Sequence, residues 1–278
     1  MRRKRLLGVD LSNQLWKAVA VNPSLASGDT YTGGLYGFIV ALQKAIRVCE
    51  ADTIVICRDT KPYRRSLLYP EYKALRVETR DPEMQEKVQA SLPLINELCK
   101  ILNWPVWGIE GFESDDLIAH CVVQHRHRYQ SIIAMSNDAD LYQLFKWRSF
   151  CMYKGKAGLY TFKDYMQEWN TDPIHMPTIL ALSGTHNEVE GIQGIGPVNA
   201  RRIALDPLAF RQKRQTHSKI IDRNLELIKL PHPEFPRDTS IPTPGDFNER
   251  ALLRFAGRFD INIHQSTCEA FAQVGNRI

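Results

Sequence analysis

The sequence predicts an α/β fold: a mostly parallel central sheet with helices on both faces, followed by a smaller helical domain. Three observations carry that prediction. Short apolar runs at Leu6–Val9, Thr53–Cys57, Pro105–Ile109 and Ser131–Met135 alternate with stretches of helical periodicity, as strands buried on both faces require. Acidic residues recur where those runs end or where the helices begin. Beyond about Tyr165 the helical spacing continues with no strand between the helices. The expected division is therefore 1–168 and 169–278.

Each element follows from its local pattern. Leu6–Val9 is a short strand that delivers Asp10. Leu35–Glu50 carries Leu35, Phe38, Ile39, Leu42 and Ile46 at the spacing of an amphipathic helix. Thr53–Cys57 is continuous and rich in β-branched residues, a second strand ending near Asp59. Residues 61–80 show no clean period and hold Pro62, Pro70, three tyrosines and many bases, as a segment ordered by a substrate would. Pro82–Leu102 is a long helix and Pro105–Ile109 a third strand. Ser114–Arg128 is a helix whose acidic first turn suits the macrodipole. Ser131–Met135 is a fourth strand, followed by Asp138 and Asp140, and Ser149–Tyr153 an edge strand. His175–Leu182, Pro197–Leu205, Ile220–Ile228 and Glu249–Phe255 are helices of the second domain. Pro231–Pro244 holds five prolines and connects.

Composition narrows the class. The chain is 44% hydrophobic and 24% charged, with no apolar stretch near the roughly 20 residues that span a bilayer. The basic start Met-Arg-Arg-Lys-Arg is followed by an apolar run that Asp10 breaks at once, unlike a signal peptide. Six cysteines without a C-x-x-C pair read as buried free thiols of a reducing, cytoplasmic compartment. The net charge of +5 is unevenly spread. From Arg58 to Arg80 there are seven Lys or Arg against three acids, and from Arg201 to Lys229 eight against three. An acidic focus flanked by basic surfaces suits a metal-dependent enzyme acting on a polyanion.

Three constellations carry chemistry. The first is acidic: Asp10, Asp59, Glu113, Asp115, Asp116, Asp138 and Asp140 all belong at the C-terminal edge of the sheet, where active sites of such folds lie. Acids gathered there repel one another, and hard divalent cations are the simplest counterweight. The second is Gly191-Ile-Gln-Gly194-Ile-Gly196-Pro197, leading into a helix that carries Arg201 and Arg202. Backbone N–H groups and a helix N-terminus suit phosphate, and the preceding helix makes this a helix–hairpin–helix reading of DNA backbone. The third interleaves bases with Tyr63, Tyr69 and Tyr72 between Arg58 and Arg76, a composition that suits a single strand.

In this order, the three constellations resemble the 5′-nuclease superfamily of flap endonucleases and 5′→3′ exonucleases, its short phage and bacterial members above all. The likeness runs from Gly8 to about Leu205. It rests on G-V-D at Asp10, the run from Asp59 through Y-P-E-Y-K to Arg76, E-x-D-D at Glu113 and D-x-D at Asp138. The resemblance implies a PIN-like, resolvase-like nuclease domain with a basic arch over 61–104. It also implies a helix–three-turn–helix motif at the glycine hairpin. It implies one Mg²⁺ or Mn²⁺ among Asp10, Asp59, Glu113, Asp115 and Asp116, and a second at Asp138 and Asp140. Lys73 and Arg64 would be the catalytic cations beside the scissile phosphate, neutralising its charge, with Arg76 and Tyr72 on the DNA. A K⁺ ion would sit on carbonyls around Val189, Ile192 and Ile195.

One departure bears on the second metal. Where the family places G-D-x-S-D-N, this chain reads Ser183-Gly184-Thr185-His186-Asn187-Glu188-Val189, with Thr185 in place of the first aspartate. The second site is therefore expected to be acid-poor, with Glu188, Asn187 or His186 left to complete it. The expected activity is hydrolysis of DNA, and of RNA primers on DNA, at 5′ ends, flaps or branches, by a monomer in the cytoplasm of a bacterium or phage-infected cell. The alternatives are a catalytically weak flap-binding protein on the same fold and a PIN-type ribonuclease.

Overall fold

The computed structural model describes residues 3–73, 81–185 and 189–274. Strand β1 (Lys4–Asp10) runs without a loop into helix α1 (Leu11–Val21). A small hairpin, β2 (Ala26–Ser27) and β3 (Thr30–Tyr31), leads to α2 (Gly33–Cys49). Then follow β4 (Thr53–Cys57), a short helix α3 (Arg64–Leu68), the long α4 (Pro82–Ile101), β5 (Val106–Trp107), α5 (Ser114–His125) and β6 (Tyr129–Met135). A 3₁₀ stretch over Ala139–Lys146 precedes β7 (Phe150–Tyr153), β8 (Leu159–Tyr160) and α6 (Phe162–Trp169).

The central sheet has the order β5-β4-β1-β6-β7-β8, parallel except for β8. Side chains alternate across it as the pleat demands. Leu7, Val9, Ile54, Ile56, Ile133 and Met135 face the core shared with α1, α2 and α4. Leu6, Val55, Cys57, Ile132 and Ala134 face α5 and the 3₁₀ stretch. Asp10 pairs with Cys57, and Val9 with Met135, so three strands end level at one edge. From β1 the chain moves outward through β4 and β5, then returns to β6 on the other side of β1. That reversal opens a crevice at the carboxyl edge, the usual ligand position in open α/β sheets.

The mostly parallel sheet with helices on both faces is thus as expected, and several details differ. Helix α1 was not anticipated. Its apolar positions Leu11, Leu15, Ala18 and Val19 have helical spacing, but Asp10 serves both as strand end and as N-cap, accepting from the Asn13 N–H at 3.1 Å. The segment expected to close the sheet, β7, is covered by the antiparallel β8. After α7 (Met176–Ser183) comes a two-stranded pair, β9 (Gly184–Thr185) with β10 (Val189–Glu190), where no strand was expected. Helices α8 (Pro197–Leu205) and α9 (Pro207–Ile228) follow, α9 far longer than the anticipated Ile220–Ile228 and broken in φ/ψ at His217. Last come α10 (Glu249–Gly257) and α11 (Gln265–Gln273). Leu252, Phe255 and Phe271 join the core beneath α2 and α4, so helices past 169 share apolar clusters with the sheet.

Candidate active site

All seven predicted acids reach the carboxyl edge, but they divide into two groups by what surrounds them. Glu113 is the N-cap of α5 and Asp116 lies one turn in, each bonded to the other's end of the helix in a capping box. Both are buried and both are neutralised. The Arg65 guanidinium meets Asp116 with two bonds of 2.6 and 2.8 Å and Glu113 at 3.0 Å. Its remaining N–H groups go to the Leu227 carbonyl at 2.7 Å and the Lys229 carbonyl at 3.3 Å. Glu113 also accepts from the Tyr72 hydroxyl at 2.9 Å and from the Lys73 ammonium. Burial pushes the Glu113 carboxyl up, but Lys73 and Arg65 outweigh it and hold the pKa at about 2. The backbone N–H of His232 adds a 2.8 Å bond to Asp116, fastening the chain after α9 to this helix start.

Among the described residues the other five acids have no such cation bound to them. Asp10 accepts from Asn13 N–H and from the Ser136 hydroxyl at 3.0 Å. Burial, followed by the charge of Asp59, pushes its carboxyl up to about 6. Asp59 is held between two helix starts, accepting from Ser12 Oγ of α1 and from Ser114 N of α5, each at 2.8 Å. Asp138 accepts from Asp140 N at 2.9 Å at the mouth of the 3₁₀ stretch. Burial and then Asp138 raise both Asp115 and Asp140 well above the ordinary carboxylate range. Asp115 Oδ1 and Asp140 Oδ1 are shielded from solvent with no hydrogen-bond partner, a state that costs free energy unless something binds there.

An all-oxygen donor set with orphaned buried carboxylate atoms fits Mg²⁺ or Mn²⁺. Among the described residues no group of three or more acids, histidines or cysteines stands in an arrangement that holds a metal ion. Of the five acids expected around one metal, Asp10, Asp59, Glu113, Asp115 and Asp116, two are paired in this structure with Arg65, which reaches Glu113 and Asp116 from 48 and 51 residues away in the chain.

Two clefts flank the five acids. One, of roughly 420 Å³, is lined by Asp138, Asp140, Trp169, Thr185 and Pro197. Thr185 Oγ1 lies there shielded and without a hydrogen-bond partner, the neutral hydroxyl that the sequence puts in place of an aspartate. The other, of roughly 320 Å³, is lined by Asp59 with Arg58, Lys61, Tyr63, Lys73 and Trp16. Lys73 thus lines the same cleft as Asp59. Arg64 is exposed, 3.7 Å from Glu234, while its neighbour Arg65 is the buried one. Tyr72 is 7% exposed with its hydroxyl on Glu113, so its ring offers no face for stacking on a base. Lys17 was missed; it stands near Asp10, whose charge opposes the lowering of its pKa by burial. Arg76, His186, Asn187 and Glu188 lie outside the described residues.

The glycine hairpin is a close crossing of backbone. Gly184 has φ +79°, and a Cβ on Gly191 would stand 2.2 Å from the Ser183 carbonyl carbon. Asn224 of α9 ties the crossing down, donating to the carbonyls of Ala181 at 2.9 Å and Glu190 at 2.8 Å. Gly194 and Gly196 are exposed at the start of α8. Arg202 is exposed there too, whereas Arg201 donates to the Trp169 carbonyl at 2.8 Å. The Ile192 carbonyl accepts from Ile195 N–H at 3.0 Å.

A family model for the 5′–3′ exonuclease N-terminal resolvase-like domain matches residues 5–170. The chain belongs to that family. It is a nuclease of the 5′-nuclease superfamily, whose members hydrolyse phosphodiester bonds with divalent metals. The 5′–3′ exonuclease of Aquifex aeolicus is 26% identical over 203 residues, 72% of this chain and 68% of that protein. DNA polymerase I of Caldicellulosiruptor bescii is 26% identical over 225 residues, 78% of this chain but 26% of that protein. The chain thus spans about a quarter of that polymerase. The fold matches the T5 D15 protein co-crystallised with metal ions, at TM-score 0.67 and 22% identity over 82% of this chain and 90% of that one. It also matches flap endonuclease-1 from Methanococcus jannaschii, at TM-score 0.60 and 14% identity over 98% and 92%. Among the described residues no helix is long and apolar enough to cross a membrane.

Proposed function

We propose that this nuclease cuts DNA at 5′ ends, flaps and branches. The five acids Asp10, Asp59, Asp115, Asp138 and Asp140 would hold its divalent cations. The observation that supports the cation site most is the pair of shielded, unpartnered carboxylate oxygens on Asp115 and Asp140, each beside like charges. Bound Mg²⁺ or Mn²⁺ supplies Lewis-acid polarisation of the phosphodiester and of water. The chain's own groups do the rest. Asp59, fixed by Ser12 and Ser114, keeps its oxygens at the cleft edge. Lys73 stands where it can leave Glu113 for a phosphate oxygen, adding positive charge as negative charge builds there. Arg58, Lys61 and Tyr63 line the cleft beside it and suit a single strand. Exposed N–H groups of Gly194 and Gly196 and the Arg202 side chain suit duplex phosphates, which makes the cut depend on shape. A K⁺ ion on the carbonyls around Val189, Ile192 and Ile195 and action on RNA primers belong to the same proposal.

The test is cleavage of a labelled 5′-flap duplex in Mg²⁺. Chelation with EDTA, Asp10→Asn and Asp115→Asn should each abolish the cut. Cleavage that survives all three sinks the reading. A second reading, a weakly catalytic flap binder, has Thr185 in its favour, since a hydroxyl holds a cation less firmly than a carboxylate. Tight binding of the flap without cleavage in Mg²⁺ or Mn²⁺ would select it.

A further inference from the structure

Helix α2 buries one face and leaves a second apolar stripe outside. Tyr36, Val40 and Val48, at helical spacing along it, are 38%, 43% and 45% exposed, and Val21 at the end of α1 is 77% exposed. Between α1 and α2 lies a groove of about 360 Å³, floored by Met135 and Tyr153 at the ends of β6 and β7. The helices nearly touch at its base, where a Cβ on Gly37 would come within 2.9 Å of Ala18 Cβ. The groove continues along α2 as a shallow depression beside Arg47 and Val48. Its rim is basic throughout: Lys17, Lys44 and Lys156 line the groove and Arg47 the depression, and no acid lines either. This is the face of the sheet opposite α5, away from the glycine hairpin.

We propose that this groove docks an acidic amphipathic segment of a partner protein. Its apolar side chains would seat between α1 and α2, and its carboxylates would meet Lys17, Lys44 and Lys156. An apolar floor beneath a wholly basic rim matches that chemistry. A phosphate backbone would satisfy the rim and leave the floor without a counterpart.

The experiment is panning of a displayed library of random dodecapeptides against the full chain. The selected pool should be rich in Asp and Glu interspersed with Leu, Phe or Trp. Selected peptides should bind Val40→Glu and Lys44→Glu at least about tenfold more weakly, as loss of a central contact does, and more weakly in added salt. Both variants should keep flap cleavage and the circular dichroism of the parent, so failure here is separable from failure of the nuclease reading. Three results overturn the proposal. One is a pool without an acidic–apolar consensus, or one that binds both variants as well as the parent. Another is displacement of the peptides by oligothymidylate, which marks a nucleic-acid surface. The third is a dimer in sedimentation that Val40→Glu dissolves, which marks a contact between copies.

Discussion

Replacing Arg65 by methionine removes a cation buried within the acidic edge. The change keeps most of the volume and removes the charge together with five hydrogen bonds, three to carboxylates and two to carbonyls. Asp116 is fully buried and would lose both bonds of its fork. Breaking a buried pair from one side costs about 3–5 kcal/mol, because the remaining charge is left without compensation. For a chain of this length that is roughly 6–20 °C in melting temperature, at about 2–4 °C per kcal/mol. The pH dependence adds a second signature. Glu113 is held at about 2 against an ordinary 4.5, so it stabilises the fold above 4.5 and that contribution fades as pH falls towards 2. The full contribution is on the order of 3 kcal/mol, shared between Lys73 and Arg65. The gap between parent and Arg65→Met should therefore narrow over that window in calorimetric melts. Adding Asp116→Leu to the variant should recover part of the loss. A destabilisation below about 1 kcal/mol, or a gap that stays constant with pH, refutes this account of the pair.

Three more outcomes follow from the same geometry. Asp10, raised from 3.8 to about 6, stabilises the metal-free fold fully below 3.8 and loses that contribution as pH rises through 6. Asn caps α1 about as well as Asp, so Asp10→Asn should stabilise the chelated protein at neutral pH by up to about 3 kcal/mol in thermal melts while abolishing cleavage; a destabilised variant would contradict the assigned repulsion. Thr185→Asp places a carboxylate in the cleft with Asp138 and Asp140, and the Mg²⁺ concentration for half-maximal cleavage should fall by about tenfold, as an added charged ligand implies; an unchanged titration would detach Thr185 from the metal. Gly191→Ala sets a methyl group against the Ser183 backbone, and a duplex-binding titration should weaken while the far-ultraviolet dichroism of the sheet domain persists; unaltered duplex binding would remove the hairpin from the interface.

The sheet was legible because parallel strands buried on both faces must be apolar throughout, and Leu6–Val9, Thr53–Cys57 and Ser131–Met135 leave no alternative period. The acids were legible for a related reason, since topology alone brings strand ends to one edge. Helix α1 was hidden because no turn separates it from β1 and Asp10 serves both elements. The division of labour among the acids was hidden more deeply. Arg64 and Arg65 are adjacent and chemically identical, and which one turns inward depends on carbonyls at Leu227 and Lys229, more than 160 residues along the chain. The partner of Tyr72 was hidden for the same reason, since only the fold brings its hydroxyl to Glu113.

The arrangement explains how seven acids can share one edge before any cation arrives. Two of them are compensated from within, by Arg65 and Lys73, and those two form the capped start of α5 that sets where Asp115 and Ser114 stand. The remaining five pay for their proximity in raised proton affinity at Asp10, Asp115 and Asp140. Repulsion among them is a standing bias towards any divalent cation, because its binding relieves several unfavourable pairs at once. Were Glu113 and Asp116 also unpaired, the same edge would carry two more uncompensated buried charges and the start of α5 would have no fixed position. An internal cation holding part of the cluster therefore serves metal binding indirectly, by keeping the scaffold folded while the rest of the cluster stays open to the metal.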